Sequence, residues 1–158
     1  AQDNSTTLSV VRHAVDWLKN RQNWSADIIV LLQPTTPFRK VSHIDNVIQL
    51  LIESEADAAI TVRSPDYPTY WMLNMDKNNN RVENILPNGN QYTRRQDTPE
   101  TFQPAGSVYA FKSELIYDMK TVFPFKDTRG YLISKNDSIN IDSKIDFITA
   151  KAIYESMQ

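Results

Sequence analysis

The sequence predicts an α/β fold: a mainly parallel sheet with helices on both faces. Three observations predict it. Ile28-Ile29-Val30-Leu31-Leu32 is an unbroken apolar run, as expected of a strand buried on both faces in the middle of a sheet. A second run, Ala58-Ala59-Ile60-Thr61-Val62, follows an amphipathic segment of about twelve residues, the length of a crossover helix. Strand, helix and strand in that order imply a right-handed parallel unit. The composition is that of an ordinary globular domain, with 41% apolar and 23% charged among 158 residues, enough for one domain with a real core.

The same composition excludes several classes. A net charge of −2 gives no field that would draw nucleic acid or an anionic membrane. These residues carry no signal-peptide pattern and no apolar run near the roughly eighteen residues that a membrane span needs. The absence of cysteine rules out a disulfide framework and a thiolate metal site, which fits a cytoplasmic protein.

Taken in order, Leu8, Val11, Ala14, Val15 and Leu18 recur at helical spacing, with Thr6 or Thr7 as the cap and an end near Asn20. His13 lies by that stripe and reads as a partly buried packing residue. After a polar loop, the strand runs from Asp27 to Gln33. Ser42 and Asp45 form a capping box before Ile44, Val47, Ile48 and Leu51, in a helix reaching about Glu53. His43, without a partner at metal-ligand spacing, reads as surface. Beyond Val62 come turn signals: Pro65, Pro68, Asn78-Asn79-Asn80 and Pro87-Asn88-Gly89-Asn90. Between them Tyr70–Met75 and Val82–Ile85 read as a hairpin, its apolar residues either core or a subunit contact. Ala105–Phe111 is a turn and a strand, and Gly106 marks a positive φ or the close approach of a ligand. Ser113–Lys120 is a short helix, and Thr121–Ser138 an extended connection. In Ile139-Asn140-Ile141-Asp142 alternation predicts a strand with both polar side chains on one face, about 7 Å apart. Ser143 and Asp146 cap a last helix through Ile145, Ile148 and Ala152.

The most informative stretch follows the first strand: Leu31-Leu32-Gln33-Pro34-Thr35-Thr36-Pro37-Phe38-Arg39. Two prolines hold this loop in one shape and forbid continuation of the sheet. Gln33 offers two donors and an acceptor, and Arg39 a fork suited to carboxylate or phosphate. The position is where open α/β sheets bind ligands. It reads equally as a rigid turn with a solvated Arg. Arg94-Arg95-Gln96-Asp97 reads as a solvated basic pair or as an anion site. Asn140 and Asp142 are two oxygen ligands beside a helix start and suit a hard cation; Asp142 alternatively only prepares that helix.

LLQPTTPFR resembles the LLQPTSPLR motif of the acylneuraminate cytidylyltransferases, the CMP-sialic acid synthetases, departing at Thr36 and Phe38. Three further segments are similar in the same order, so the resemblance spans nearly the whole chain. Ala1–Thr7 is similar to a small polar segment that contacts the nucleotide, with Asp3 and Thr7 on matching positions. Arg95, Pro99, Gly106 and Tyr109 fall on the pattern R-x-x-x-P followed by N-G-A-I-Y-I; Ala105 replaces its Asn and Ser107 its Ala. Asn140 to Asp146 is similar to D-I-D-T-x-x-D, with Asn140 in place of the first metal-holding aspartate and Asp142 at the second.

The resemblance implies a Rossmann-like three-layer nucleotidyltransferase fold with a small dimerisation extension at about residues 63–93, and a homodimer. It implies CTP and an acidic nine-carbon sugar as substrates, with Mg²⁺ on Asp142 and Asn140. It assigns Gln33, Arg95, Gln96 and Tyr109 to the acid-sugar pocket, with Gln33, Arg95 and Asp142 central to catalysis. An aromatic pair near Phe123 and Phe125 approaches the sugar. The family begins with a further strand and a loop rich in Gly, Arg, Lys and Ser. This chain is therefore expected to be the carboxyl-terminal two-thirds of the domain and to turn over little or nothing alone. The alternatives are a cytidylyltransferase for legionaminic or pseudaminic acid, or a non-catalytic sugar-binding or dimerising remnant whose Asn140 and Ala105 mark decay.

Overall fold

The computed structural model describes residues 6–120 and 126–157. The chain divides into two compact units. One comprises residues 1–62 and 104–158, the other residues 63–103.

In the larger unit, α1 (Thr7–Gln22) begins at Thr6, whose hydroxyl accepts from the Ser9 amide at 3.2 Å. It ends at Asn23 in the left-handed region, a conformation that Asn tolerates. Then come β1 (Ile28–Leu31), α2 (Val41–Ser54), β2 (Ala58–Arg63), and, after the smaller unit, β5 (Gln103–Lys112), β6 (Thr128–Leu132) and α3 (Lys144–Ser156). The sheet order is β1-β5-β2-β6. β5 runs antiparallel to β1, with Leu31 opposite Tyr109, and β6 runs parallel to β2. The Lys112 amide donates to Asp57 and the Val108 amide to the Thr61 hydroxyl, so β5 also runs against β2. Three strands therefore share one direction, and β5 lies reversed between two of them.

The expected parallel pair is present: β1 and β2 run in one direction within the same sheet, with β5 between them. β1 is, however, a border strand among the described residues and only half-buried, not a central one. Side chains alternate across the sheet. Val108 and Ala110 pack with Ala59, Val47 and Leu51 of α2, while Phe111 packs with Leu8 of α1, Ala58, Ile116 and Met119. Burying Leu51 and Phe111 contributes about 2–3 kcal/mol each.

Several expectations are corrected locally. α2 starts at Val41, and the Ser42–Asp45 box is not used. Instead the Lys40 amide donates to His43 Nδ1 at 3.3 Å. His43 is buried rather than on the surface. His13 is exposed, because the buried stripe of α1 runs along Leu8 and Val11 and misses it. Residues 139–142 form no strand: with no strand alongside, the Ile141 amide bonds to a loop carbonyl instead. Part of the expected extended connection is β6. On α3 it is Ala150 that is buried; Ile145 and Ile148 are exposed.

The smaller unit holds the expected hairpin, β3 (Leu73–Asp76) antiparallel to β4 (Arg81–Asn84). Leu73, Met75 and Val82 on it are exposed. Tyr70 packs edge-on to Tyr92 with ring centroids 4.8 Å apart, and the Trp71 indole donates to the Tyr92 carbonyl.

Candidate active site

The loop after β1 is held from within. The Gln33 carbonyl accepts from the Thr36 hydroxyl (3.0 Å) and from Arg39 Nη1 (3.0 Å). The same Nη1 donates to Thr36 Oγ1 (2.9 Å) and to the Ser107 carbonyl on β5 (2.9 Å). Arg39 is thus a staple between the proline loop and the sheet. Thr36, only 1% exposed, is the polar core of the turn. With its main chain engaged, Gln33 has its side-chain amide left over. That amide lies across Gly106: a Cβ there would stand 3.2 Å from Gln33 Oε1, and Gly106 has φ +72°. The close approach and the positive φ expected of Gly106 are both present.

The acidic segment meets the same loop. The Ile141 amide donates to the Thr35 carbonyl at 2.9 Å. On either side of Ile141, Asn140 Nδ2 donates to Asp142 Oδ2 at 2.5 Å. Asp142 is exposed, whereas Asn140 Oδ1 is buried and has no hydrogen-bond partner. Asp146 turns back on the chain. Its Oδ2 accepts from the Ser143 hydroxyl (2.7 Å), the Ser143 amide (2.8 Å) and the Asp142 amide (3.2 Å). The Ser143 hydroxyl above all, with the two amides and against a smaller effect of burial, holds the Asp146 carboxyl below its ordinary range. Asp146 therefore fixes the backbone of Asp142, and Asp142 presents the outward carboxylate.

Among the described residues no cluster of three or more His, Cys, Asp or Glu side chains could hold a metal. The donors here still fit Mg²⁺, which takes one or two protein oxygens and completes its shell with water and phosphate. Asp142 would supply one oxygen, and the unpartnered Asn140 Oδ1 a second, neutral one.

Tyr109 stands three residues beyond Gly106 on β5, 9% exposed, and burial pushes its phenol up. Thr7 is the exposed first residue of α1, and Thr6 rather than Thr7 is the cap. Asp3, Phe123 and Phe125 lie outside the described residues. Arg95 and Gln96 belong to the smaller unit. There they line an open cleft of about 320 Å³ with Ser64, Pro68 and Glu100. Arg95 Nη2 donates to the Asp66 carbonyl at 2.6 Å, and Arg94 pairs with Asp97 at 2.8 Å. The larger unit thus brings Gln33, Gly106, Asn140 and Asp142 to the loop at the carboxyl end of β1.

Sequence reasoning missed one group. Lys40 Nζ lies 2.8 Å from Asp137 Oδ2, and His43 Nε2 lies 3.7 Å from the same oxygen. Burial pushes the Asp137 carboxyl up, but Lys40, the Ser134 hydroxyl and His43 outweigh it and hold the group low. Lys40 and His43 share a helix start, which was visible. Nothing local pointed to Asp137.

No family model matches the chain. Over 147 residues it is 23% identical to the post-translational flagellin modification protein B of Campylobacter coli, covering 93% of this chain and 61% of that protein. It is 23% identical to the N-acylneuraminate cytidylyltransferase of Streptococcus agalactiae, covering 92% and 33%. The resemblance is to cytidylyltransferases. A third relative, 26% identical, is the CMP-N,N'-diacetyllegionaminic acid synthase of Legionella pneumophila, with 100% of this chain and 68% of that one covered. The chain thus spans between 33% and 68% of the lengths of these curated relatives. Two solved structures share the fold. A CMP:2-keto-3-deoxy-manno-octonic acid synthetase complexed with CTP superposes with a TM-score of 0.63 at 10% identity, covering 99% of this chain and 70% of its own. The 4-diphosphocytidyl-2C-methyl-D-erythritol synthase of Anaerococcus prevotii gives 0.61 at 16%, covering 96% and 68%. The mixed α/β architecture described above is accordingly one that these two structures share.

Proposed function

We propose that this chain carries the sugar and metal side of a cytidylyltransferase that joins CTP to an acidic nine-carbon sugar, an N-acylneuraminate, giving the CMP-sugar and pyrophosphate. One observation carries the reading. The loop at the carboxyl end of β1 presents the Gln33 amide over Gly106 and, through Thr35, is tied to the segment bearing Asn140 and Asp142.

In this reaction a sugar hydroxyl attacks the α-phosphorus in line. The new oxygen–phosphorus bond forms as the bond to pyrophosphate breaks. Such a step needs positioning and charge neutralisation, not a covalent nucleophile. Asp142 and Asn140 would hold Mg²⁺, which supplies charge neutralisation to the phosphates when bound. Gln33 and Tyr109 would orient the sugar; the resemblance assigns Arg95 and Gln96 to its carboxylate, and Asp3 and Thr7 to the nucleotide. A charged hydrogen bond from Arg95 contributes about 1.5–3 kcal/mol. The exposed apolar residues of the β3–β4 hairpin, Leu73, Met75 and Val82, support a homodimer.

The test is kinetic, in the full-length protein. CTP, Mg²⁺ and N-acetylneuraminate should release pyrophosphate, and this chain alone should release little. Arg95→Ala should weaken sugar saturation more than CTP saturation; the reverse removes Arg95 from the sugar pocket. Legionaminic acid is the second sugar to try, because a relative named for it is 26% identical over 100% of this chain. A protein that binds these sugars but consumes no CTP is a sugar-binding module instead.

A further inference from the structure

The cluster around Asp137 has no part in the chemistry described so far, yet it lies between the two halves of the site. Asp137 is 8% exposed, and burying a carboxylate is costly unless it is paired. Its partners come from the first turn of α2, the helix that follows the proline loop. Lys40 Nζ is 2.8 Å away, and the Lys40 side chain itself is largely in solvent. His43 Nδ1 accepts from the Lys40 amide, which leaves Nε2 to carry the ring proton, 3.7 Å from Asp137 Oδ2. On the other side the Asp137 amide donates to Ser134 Oγ at 3.1 Å, and the Ser138 hydroxyl to the Lys135 carbonyl at 2.9 Å. The turn 134–138 is thereby closed on itself and clamped to α2. Four residues on, the Ile141 amide bonds to the Thr35 carbonyl. Asn140 and Asp142 therefore sit on a segment tethered at two points to one stretch of chain, Thr35 to His43.

We propose that Asp137, gripped by Lys40 and His43, is a positioning residue that sets the Asn140–Asp142 segment against the proline loop and so tunes cation affinity. This rests on the cytidylyltransferase reading. Groups that only orient metal ligands typically change affinity or activity by 10–100-fold when removed.

The experiment compares wild type, Asp137→Asn and Lys40→Met in the full-length protein. Lys40→Met alters a solvent-facing side chain and guards against a variant that fails to fold. Amide hydrogen exchange at Ile141 is read beside the Mg²⁺ dependence of turnover. Expected are protection at Ile141 reduced about tenfold or more, with β5 amides unchanged, and a Mg²⁺ half-saturation raised about tenfold with the CTP and sugar KM values held. Asp137→Glu should restore part of both. Wild-type values for both readouts overturn the proposal, and so does a uniform loss of protection across the sheet. If wild type itself shows no Mg²⁺-dependent turnover, the cytidylyltransferase reading falls and the tuning of cation affinity falls with it; the Ile141 exchange then still decides the tether.

Discussion

Gly106 and Gln33 are fitted to each other: the glycine holds φ at +72°, and a Cβ on it would meet Gln33 Oε1 at 3.2 Å. Gly106→Ala combines the cost of a left-handed L-residue, about 1 kcal/mol or more, with displacement of the amide. A loss of about 1–2 kcal/mol is expected in a urea melt, together with a higher sugar KM and a nearly unchanged CTP KM. Equal effects on both substrates would detach Gln33 from the sugar.

Arg39→Met leaves the Gln33 and Ser107 carbonyls without their guanidinium donor. The expected destabilisation is about 2–3 kcal/mol, measured from denaturant midpoints. Because Arg39 is engaged within the fold, the folded fraction should keep a near-normal sugar KM. A large KM change at unaltered stability would make it a substrate ligand instead.

Burial pushes the His43 imidazole below its ordinary 6.5, Asp137 pulls it partly back and Lys40 lowers it further. The folded protein thus takes up this proton less readily than the unfolded chain. The contribution is intact above about pH 6.5 and is lost as pH falls through the lowered value. His43→Asn keeps an acceptor for the Lys40 amide without a titrating ring, so its urea midpoint should vary less than wild type between about pH 7 and pH 5. Asp137, held below 3.8, adds a second loss that begins only under that pH.

Asp142→Asn should abolish turnover while leaving stability within about 0.5 kcal/mol, since the side chain is exposed. Ser143→Ala, by contrast, removes the cap of α3 and one donor to Asp146, and should cost about 1 kcal/mol. If Asp142→Asn retains an unchanged Mg²⁺ requirement, the residue is not a metal ligand.

What was readable in the sequence was local. The Thr6 cap, the rigid proline loop, the exceptional backbone of Gly106, the β3–β4 hairpin and the Ser143–Asp146 box each depend on residues a few positions apart. What escaped depends on distant chain. β5 slots between β1 and β2 only after a long excursion, so nothing in the order of the first two apolar runs pointed to the strand between them. The alternation at Ile139–Asp142 was real, but a strand needs a ladder, and the nearest acceptor for Ile141 is a loop carbonyl. His43 looked like a surface residue because Asp137, which helps to hold it in the interior, is far along the chain. The Ser42–Asp45 pattern was outcompeted by the imidazole one residue away.

The reversed strand has a further consequence. Because β2 and β5 are antiparallel neighbours, the chain leaves the sheet at Arg63 and rejoins it at Gln103 as if across a widened hairpin turn. A tight turn between those points would close the same sheet. Residues 63–103 are therefore a cassette. Evolution, or an engineer, can exchange Arg95, Gln96 and their surroundings wholesale while the strands that support Gln33 keep their order.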